Sequence, residues 1–168
     1  MGTSALAPVV NVEPVDQVGS AYRETLTFVE RLHRRLLDVI WGELDKTGVM
    51  GVSPVQALLL YNVGDKELTA SELRTRGCYL GSNISYNVKK LNEEGFLEHR
   101  RSRADRRAVC ISLTEKGRVV HDLVARLFDN QVGGLVQDDH IATTDLATLN
   151  KALVRLERFW TDQIMYRL

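Results

Sequence analysis

The segment HRRSRADRRAVCISLTEKG, residues 99–117, decides the fold of this chain. Five arginines fall within the eight positions 100–107, and Val109, Ile111 and Leu113 then alternate with smaller or polar residues. A period of two is typical of a half-buried β-strand. Residues 96–100, which run into the arginines, have a strand pattern as well. The segment therefore predicts a β-hairpin whose tip carries concentrated positive charge.

The chain as a whole is electrically neutral, so the basic tip is a local feature. Its 168 residues include 22 Lys or Arg and 22 Asp or Glu, and net charge therefore indicates no class of partner. This length suits one domain, or a core with an appended helical part. Two cysteines make no disulfide scaffold, which favours a reduced compartment and a cytoplasmic location. We expect no signal peptide, and no apolar run approaches the ~18 residues of a membrane helix.

Helical patterns precede the hairpin. Residues 1–19 contain two of the three prolines and show no period, so they predict an N-terminal arm. From about Ser20, apolar residues recur at spacings of three and four, which predicts a helix that ends near Gly48. This apolar stripe comprises Leu26, Val29, Leu32, Leu36, Ile40 and Leu44.

Two short helices come next. Ser53 followed by Pro54 is a helix start, because serine caps free amide groups and proline loses no hydrogen bond at the first helical position. This helix should end by Gly64. Thr69 and Glu72 then have capping-box spacing, with Leu68 and Leu73 placed as a hydrophobic staple, and predict a helix that ends at Gly77.

A third helix is predicted from about Ser82 to Glu94, closed by Gly95. Ile84, Val88 and Leu91 fall within one narrow arc of this helix. The opposite face carries hydroxyls, an amide, an aromatic ring and two lysines. After the hairpin, Thr114 should cap a helix to about Asn130, and a loop containing Gly133 and Gly134 should lead to a last helix over about 144–165.

This order of elements predicts a mainly α fold with a small β-hairpin wing, a winged helix-turn-helix joined to a helical dimerisation region. We assign residues 1–19 to the arm, 52–114 to the DNA-binding domain, and 20–48 with 115–168 to the dimerisation region. The second helix of a helix-turn-helix reads the major groove, and a wing can bring arginine to phosphates or the minor groove. The candidate DNA-binding residues are Ser82, Asn83, Ser85, Tyr86, Lys89, Lys90, Arg103, Asp105, Arg106 and Arg107.

Several short motifs occur here in one order: Thr69–Leu73, then Glu94-Gly95-Phe96-Leu97-Glu98-His99-Arg100, then Asp105 and Arg107, then Leu113-Thr114-Glu115-Lys116-Gly117. Together they resemble the MarR family of bacterial transcriptional regulators, over roughly residues 20–166. The turn at residues 77–81 departs from the wording usual in that family, and the N-terminal arm is longer than many members need. The resemblance implies a homodimer, a crevice for small acidic or phenolic effectors, and regulation of transcription through a pseudo-palindromic operator in double-stranded DNA.

The dimer and the effector crevice can be assigned to residues. The stripe of the last helix exceeds what one small winged helix can cover, which favours a dimer interface at Leu149, Leu153, Leu156, Trp160 and Ile164. A crevice between the helical region and the winged helix would be lined by His33, Leu37, Trp41, Leu59, Val63 and Leu123. An aromatic ring, a histidine and several aliphatic side chains suit a flat, weakly acidic molecule.

Other classes of function find less support in the sequence. A winged-helix module that binds an acidic protein and no DNA is one alternative, although it has no need for Lys89 and Lys90 beside the wing. A redox-sensing regulator is another, through Cys78 or Cys110, but cysteine often serves as a small buried apolar residue. Glu30 and His33 have helical spacing for a metal ligand pair, yet the four histidines are scattered, and we expect no metal or cofactor. We find no nucleophile with a base and no phosphate loop, so an enzyme is not expected.

Overall fold

Helices and one small antiparallel sheet alternate along the chain in the computed structural model, which describes residues 15–65, 68–69, 72, 82–101, 109–137 and 141–166. The elements are α1 (Val15–Thr47), α2 (Pro54–Val63), β1 (Leu68–Thr69), α3 (Ser82–Glu93), β2 (Leu97–Arg101), β3 (Val109–Leu113), α4 (Glu115–Gln137) and α5 (Thr143–Tyr166). The predicted fold class, mainly α with a β-hairpin wing, is confirmed. The predicted helix over 69–77 lies almost entirely outside the described residues.

Local capping explains where several helices begin and end. Ser53 and Gln56 form a reciprocal capping box at the start of α2, with Pro54 in the first turn. The hydroxyl Oγ1 of Thr114 accepts a hydrogen bond from the backbone N of Gly117 at 3.1 Å, so Thr114 caps α4 as predicted. Gly95 has φ +76, a left-handed conformation that glycine adopts without steric cost and that stops α3.

Two helix boundaries differ from the prediction. The first helix begins at Val15 rather than near Ser20, and Asp16 in its first turn suits the positive end of the helix dipole. The helix α4 continues to Gln137, so Gly133 and Gly134 are helical and not in a loop. Each glycine costs a helix about 1 kcal/mol relative to alanine, so the pair costs roughly 2 kcal/mol, which the neighbouring turns of α4 can offset.

The hairpin is confirmed and belongs to a three-stranded sheet. The strands β2 and β3 pair antiparallel, from Leu97 opposite Leu113 to Arg101 opposite Val109. The short strand β1 adds to the other side of β3, with Leu68 opposite Ile111, so the strand order is β1-β3-β2. The sequence pattern did not predict β1. As the central strand, β3 is covered on both faces, and Cys110 and Ile111 are both buried.

The core lies where α2 packs between α1 and α4. Leu59, Leu60 and Val63 of α2 are buried there with Ile40 of α1 and Val120 of α4. The helix α3 reaches the same core through Val88 and Leu91. In contrast, α5 has no buried residue. None of the described helices is long and apolar enough to cross a membrane.

Candidate nucleic-acid interface

The helix α3 presents one apolar and one polar face. Val88 and Leu91 are 8% and 1% exposed, which anchors one side of the helix in the core. On the other side Tyr86 is 63% exposed. Ser85, Lys89 and Lys90 are exposed with it. This face therefore offers hydroxyl groups, an aromatic ring and two ammonium groups to a partner in solution.

The first turn of α3 contains Ser82 and Asn83, so their backbones lie at the helix N-terminus. Their side chains are outside what the structure describes. The positive end of the helix dipole lies at this terminus and favours phosphate groups. Contact of the α3 residues with DNA stays a prediction, and their common helix is the feature that the structure adds.

An ion pair competes for one of the two lysines. Lys89 Nζ lies 3.8 Å from Glu93 Oε1, one helical turn later, and both side chains are largely exposed. Exposed pairs of this kind contribute little to stability, typically below about 1 kcal/mol. Glu93 therefore matters more for the charge that α3 presents than for the stability of the helix.

The wing begins as a regular ladder. Five residue pairs join β2 to β3, and the last of them is Arg101 opposite Val109. Five residues per strand extend the hairpin by roughly 17 Å. Arg103, Asp105, Arg106 and Arg107 all fall in the connection 102–108, which lies outside the described residues.

Residues of the segment Leu113–Gly117, which we call the Leu-Thr-x-x-Gly motif, bond the base of the wing to the end of α3. Thr114 Oγ1 lies 2.7 Å from the carbonyl oxygen of Gly95, to which it donates, and Thr114 N donates to Phe96 O at 3.1 Å. Lys116 Nζ donates to Glu94 O at 2.7 Å and lies 4.0 Å from the centre of the Phe96 ring. This motif therefore orients the wing relative to α3.

A second contact joins the same two elements. His99 Nδ1 of β2 lies 2.9 Å from Asn92 Oδ1 in the last turn of α3. Asn92 belongs to none of the predicted motifs, and His99 belongs only to the motif that begins β2. The two residues are seven positions apart, across a helix end and a turn, and no simple periodicity connects them.

The predicted effector residues separate into two groups. Leu59, Val63 and Leu123 belong to the packed core. His33 is exposed, Leu37 is half-buried and Trp41 is 57% exposed. Leu37 lines an open cavity of about 470 Å³ on α1 together with Arg31, Arg34, Arg35 and Asp38. The structure does not gather all six predicted residues around that cavity.

The predicted dimer residues lie along one side of α5 and are partly exposed. Leu149 is 44% exposed and Ile164 is 55% exposed. Leu153, Leu156 and Trp160 are half-buried. Trp160 Nε1 donates to the hydroxyl of Tyr22 at 3.0 Å, so the last helix contacts the first within one chain.

The described residues add no observation in favour of a redox-sensing cysteine or of a metal site. Cys110 is a free thiol, 4% exposed in the central strand, where it packs as a small apolar side chain. Cys78 lies outside the described residues. No three His, Cys, Asp or Glu side chains of the described residues come together as a metal site.

The helices, the ladder and the exposed lysine face define a winged-helix DNA-binding protein, and comparison with known proteins agrees. The model of the winged-helix DNA-binding domain matches residues 52–117. The exopolysaccharide II synthesis transcriptional activator ExpG of Rhizobium meliloti is 34% identical over 145 residues, which are 86% of this chain and 74% of that protein. The chain therefore belongs to the MarR family of winged-helix transcriptional regulators.

Solved structures share the fold. AbsC, a MarR family transcriptional regulator from Streptomyces coelicolor, superposes with a TM-score of 0.63 at 22% identity and covers 91% of this chain and all of its own. FabT of Streptococcus pneumoniae in complex with DNA superposes with a TM-score of 0.60 at 23% identity, covering 84% of this chain and 98% of its own. Membership of the family makes the chain a transcription regulator with a winged-helix DNA-binding domain, a class of protein that is not an enzyme.

Proposed function

We propose that the chain is a cytoplasmic homodimer whose affinity for a pseudo-palindromic operator is set by a small molecule. Its two recognition helices α3 would enter successive major grooves, which requires a separation of about 34–36 Å. The wing tips would contact the flanking phosphates or minor grooves. Regulation would follow from any ligand that favours one separation of the two helices over another.

The observation that carries the dimer is the slight burial of helix α5 within one chain. It has 24 residues and none is buried, although apolar side chains recur along it at spacings of three and four. A helix stripe of this kind normally faces a core, and a contiguous exposed apolar patch marks an interaction site. A two-fold axis would bury this stripe against the same stripe of the second copy.

The substitution Leu153→Asp tests the dimer. It would bury an unpaired carboxylate in the interface, which costs several kcal/mol. We expect a monomer in analytical ultracentrifugation and the loss of operator binding together. Thr148→Asp is the matched control, because it adds the same charge to the same helix away from the stripe, and should leave a dimer. A Leu153→Asp variant that sediments as a dimer and binds normally would remove α5 from the interface.

The ligand response is supported by the charge and position of the cavity on α1. Three arginines and one aspartate line it, a positive excess that suits a weakly acidic molecule, and Leu37 of the predicted effector residues lines it as well. Since Leu59, Val63 and Leu123 already fill the core, exposed His33 and Trp41 and half-buried Leu37 would meet a ligand first. The site lies on a helix of the proposed dimer, where a wedge has leverage on the separation of the recognition helices.

Thermal unfolding with benzoate, and with benzyl alcohol as the neutral matched ligand, tests this site. A ligand that binds only the folded chain raises the Tm as its concentration rises above its Kd. We expect benzoate to raise the Tm and to release operator DNA, and benzyl alcohol to do neither. Trp41→Ala should weaken the response to benzoate and preserve operator binding without ligand. An unchanged response in Trp41→Ala would place the sensor elsewhere in the chain.

Because ExpG is an activator, a reporter assay of the regulated promoter must be able to register gains as well as losses of expression.

A further inference from the structure

Gln56 is a polar side chain buried as deeply as the core. It is 3% exposed, and no other polar or charged side chain of the described residues is classed with the buried core. Burial of an amide costs free energy unless its hydrogen bonds are made. One of them completes the capping box of α2, where Gln56 Oε1 accepts from Ser53 N at 2.9 Å. Capping explains the oxygen of this side chain and leaves its nitrogen to be explained.

The nitrogen of Gln56 reaches across to the recognition helix. Gln56 Nε2 donates to Asn87 Oδ1 at 3.2 Å, over a separation of 31 residues. Asn87 is half-buried on α3, directly between exposed Tyr86 and buried Val88. The hydrogen bond therefore joins α2 to α3 at the boundary between the core side and the exposed side of α3.

Apolar side chains of α3 hold the helix to the core beside this hydrogen bond. Val88 and Leu91 pack into the core, and apolar contacts have no preferred direction, so they tolerate small rotations and shifts of a helix. A hydrogen bond needs a defined length and angle. Since α2 itself packs against α1 and α4, an atom held by Gln56 is held relative to the helical frame of the whole chain.

We propose that Gln56 is a positioning residue for DNA recognition, whose bond to Asn87 sets the rotation and axial position of α3. It decides which side chains of α3 reach the base edges, although Gln56 itself is too deeply buried to touch DNA. This inference rests on the proposed function, in which α3 lies in the major groove. A displacement of α3 by about 1 Å is enough to spoil bidentate contacts with bases, while phosphate contacts through long lysines adjust.

The test uses the full chain and a duplex that the wild-type protein selects from a random library. The duplex has roughly 30 base pairs, a length that holds two half-sites. Gln56→Met keeps the volume of the side chain and removes both polar atoms. We expect it to lose about tenfold or more in affinity for the selected duplex and to keep its affinity and salt slope on a random duplex. Ser53→Ala is the control, because it breaks the other half of the same capping box and leaves Asn87 bonded. It should lower the Tm and leave both affinities unchanged.

The double variant Gln56→Met with Asn87→Leu distinguishes a positioning role of Gln56 from a role in stability alone. The double variant also removes the Asn87 amide, which Gln56→Met deprives of its donor, while both variants lack the Ser53 cap alike. The double variant should therefore regain Tm relative to Gln56→Met. We expect its affinity for the selected duplex to stay low, since the apolar pair no longer sets the position of α3. Asn87→Ala keeps the capping box, and supplies the same test if Gln56→Met does not fold.

Each outcome decides the inference. Wild-type affinity of Gln56→Met for the selected duplex would overturn it, as would equal losses on selected and random duplexes. Recovery of affinity together with Tm in the double variant would also overturn it. If the wild-type protein selects no sequence, the proposed function fails and takes this inference with it. If it does select a sequence and Gln56→Met binds that duplex normally, only the role of Gln56 is wrong.

Discussion

Replacing Gly117 by alanine should destabilise the chain, although alanine normally favours a helix. Gly117 lies in the first turn of α4 and its Cα faces the carbonyl group of Phe96, where β2 begins. A Cβ built there would stand 3.1 Å from the carbonyl carbon of Phe96 and would overlap its oxygen. The clash is with backbone and not with a flexible side chain, so α4 or the start of β2 must move.

The magnitude follows from two opposed effects. Removing a glycine from a helix stabilises by roughly 0.5–1 kcal/mol. Forcing an extra methyl group into a closed contact costs about 1–3 kcal/mol. A shift of α4 also stretches the bond from Thr114 N to Phe96 O, now 3.1 Å, and a lost hydrogen bond costs about 1 kcal/mol more. We expect a net loss of about 1–3.5 kcal/mol, which lowers the Tm of a chain of this size by roughly 2–14 °C.

Thermal unfolding at equal protein concentration measures this, with Gly133→Ala as the matched control. Gly133 lies in the same helix and nothing stands within 4 Å of a Cβ built there. Its replacement should therefore raise the Tm by a few degrees. If Gly117→Ala also raises the Tm, the close approach of α4 to Phe96 is wrong. The wing base then does not depend on the Leu-Thr-x-x-Gly motif as described.

Three further predictions concern DNA binding. Glu93→Gln should strengthen binding to any duplex by about two- to fivefold at low salt, because it frees Lys89, and the gain should vanish at high salt where exposed charges are screened. Arg107→Ala should weaken binding to selected and random duplexes alike and reduce the salt slope by about one per subunit, and an unchanged slope would remove the wing tip from the interface. Tyr86→Ala should leave the Tm near the wild-type value, since the ring is 63% exposed. It should broaden the set of sequences that the protein selects from a random library. An unchanged set would show that this ring reads no base.

Local signals in the sequence were enough to place most of the elements. The caps at Ser53 and Thr114 depend on side chains that bond within the next three residues, so a short window contains the whole interaction. The hairpin follows from a period of two on both sides of the arginines. The exposed face of α3 follows from the arc of Val88 and Leu91, because burying one side of a helix defines the other.

Contacts between distant residues were beyond such signals. The strand β1 pairs Leu68 with Ile111, more than forty residues away. The capping-box spacing of Thr69 and Glu72 instead predicted that a helix starts in this stretch. The bond between Gln56 and Asn87 links two unremarkable amides that only the packing of α2 against α3 brings together. The predicted effector crevice divided between core and surface for a similar reason. Helical spacing tells which residues share a face, but not whether a cavity remains once two faces have packed.

Neutral composition conceals a segregation of charge that DNA binding requires. Residues 82–107, from the start of α3 through the wing tip, contain seven Lys or Arg and four Asp or Glu. The rest of the chain therefore contains 15 Lys or Arg and 18 Asp or Glu. Each chain therefore pairs an excess of positive charge at the proposed DNA surface with an equal negative excess elsewhere. At physiological salt the screening length is only about 8 Å, so the distant negative charge scarcely weakens contacts with phosphate. It does repel DNA from the other surfaces, and a field of this kind orients the protein as it approaches the duplex. A neutral chain can thus bind a polyanion through one face.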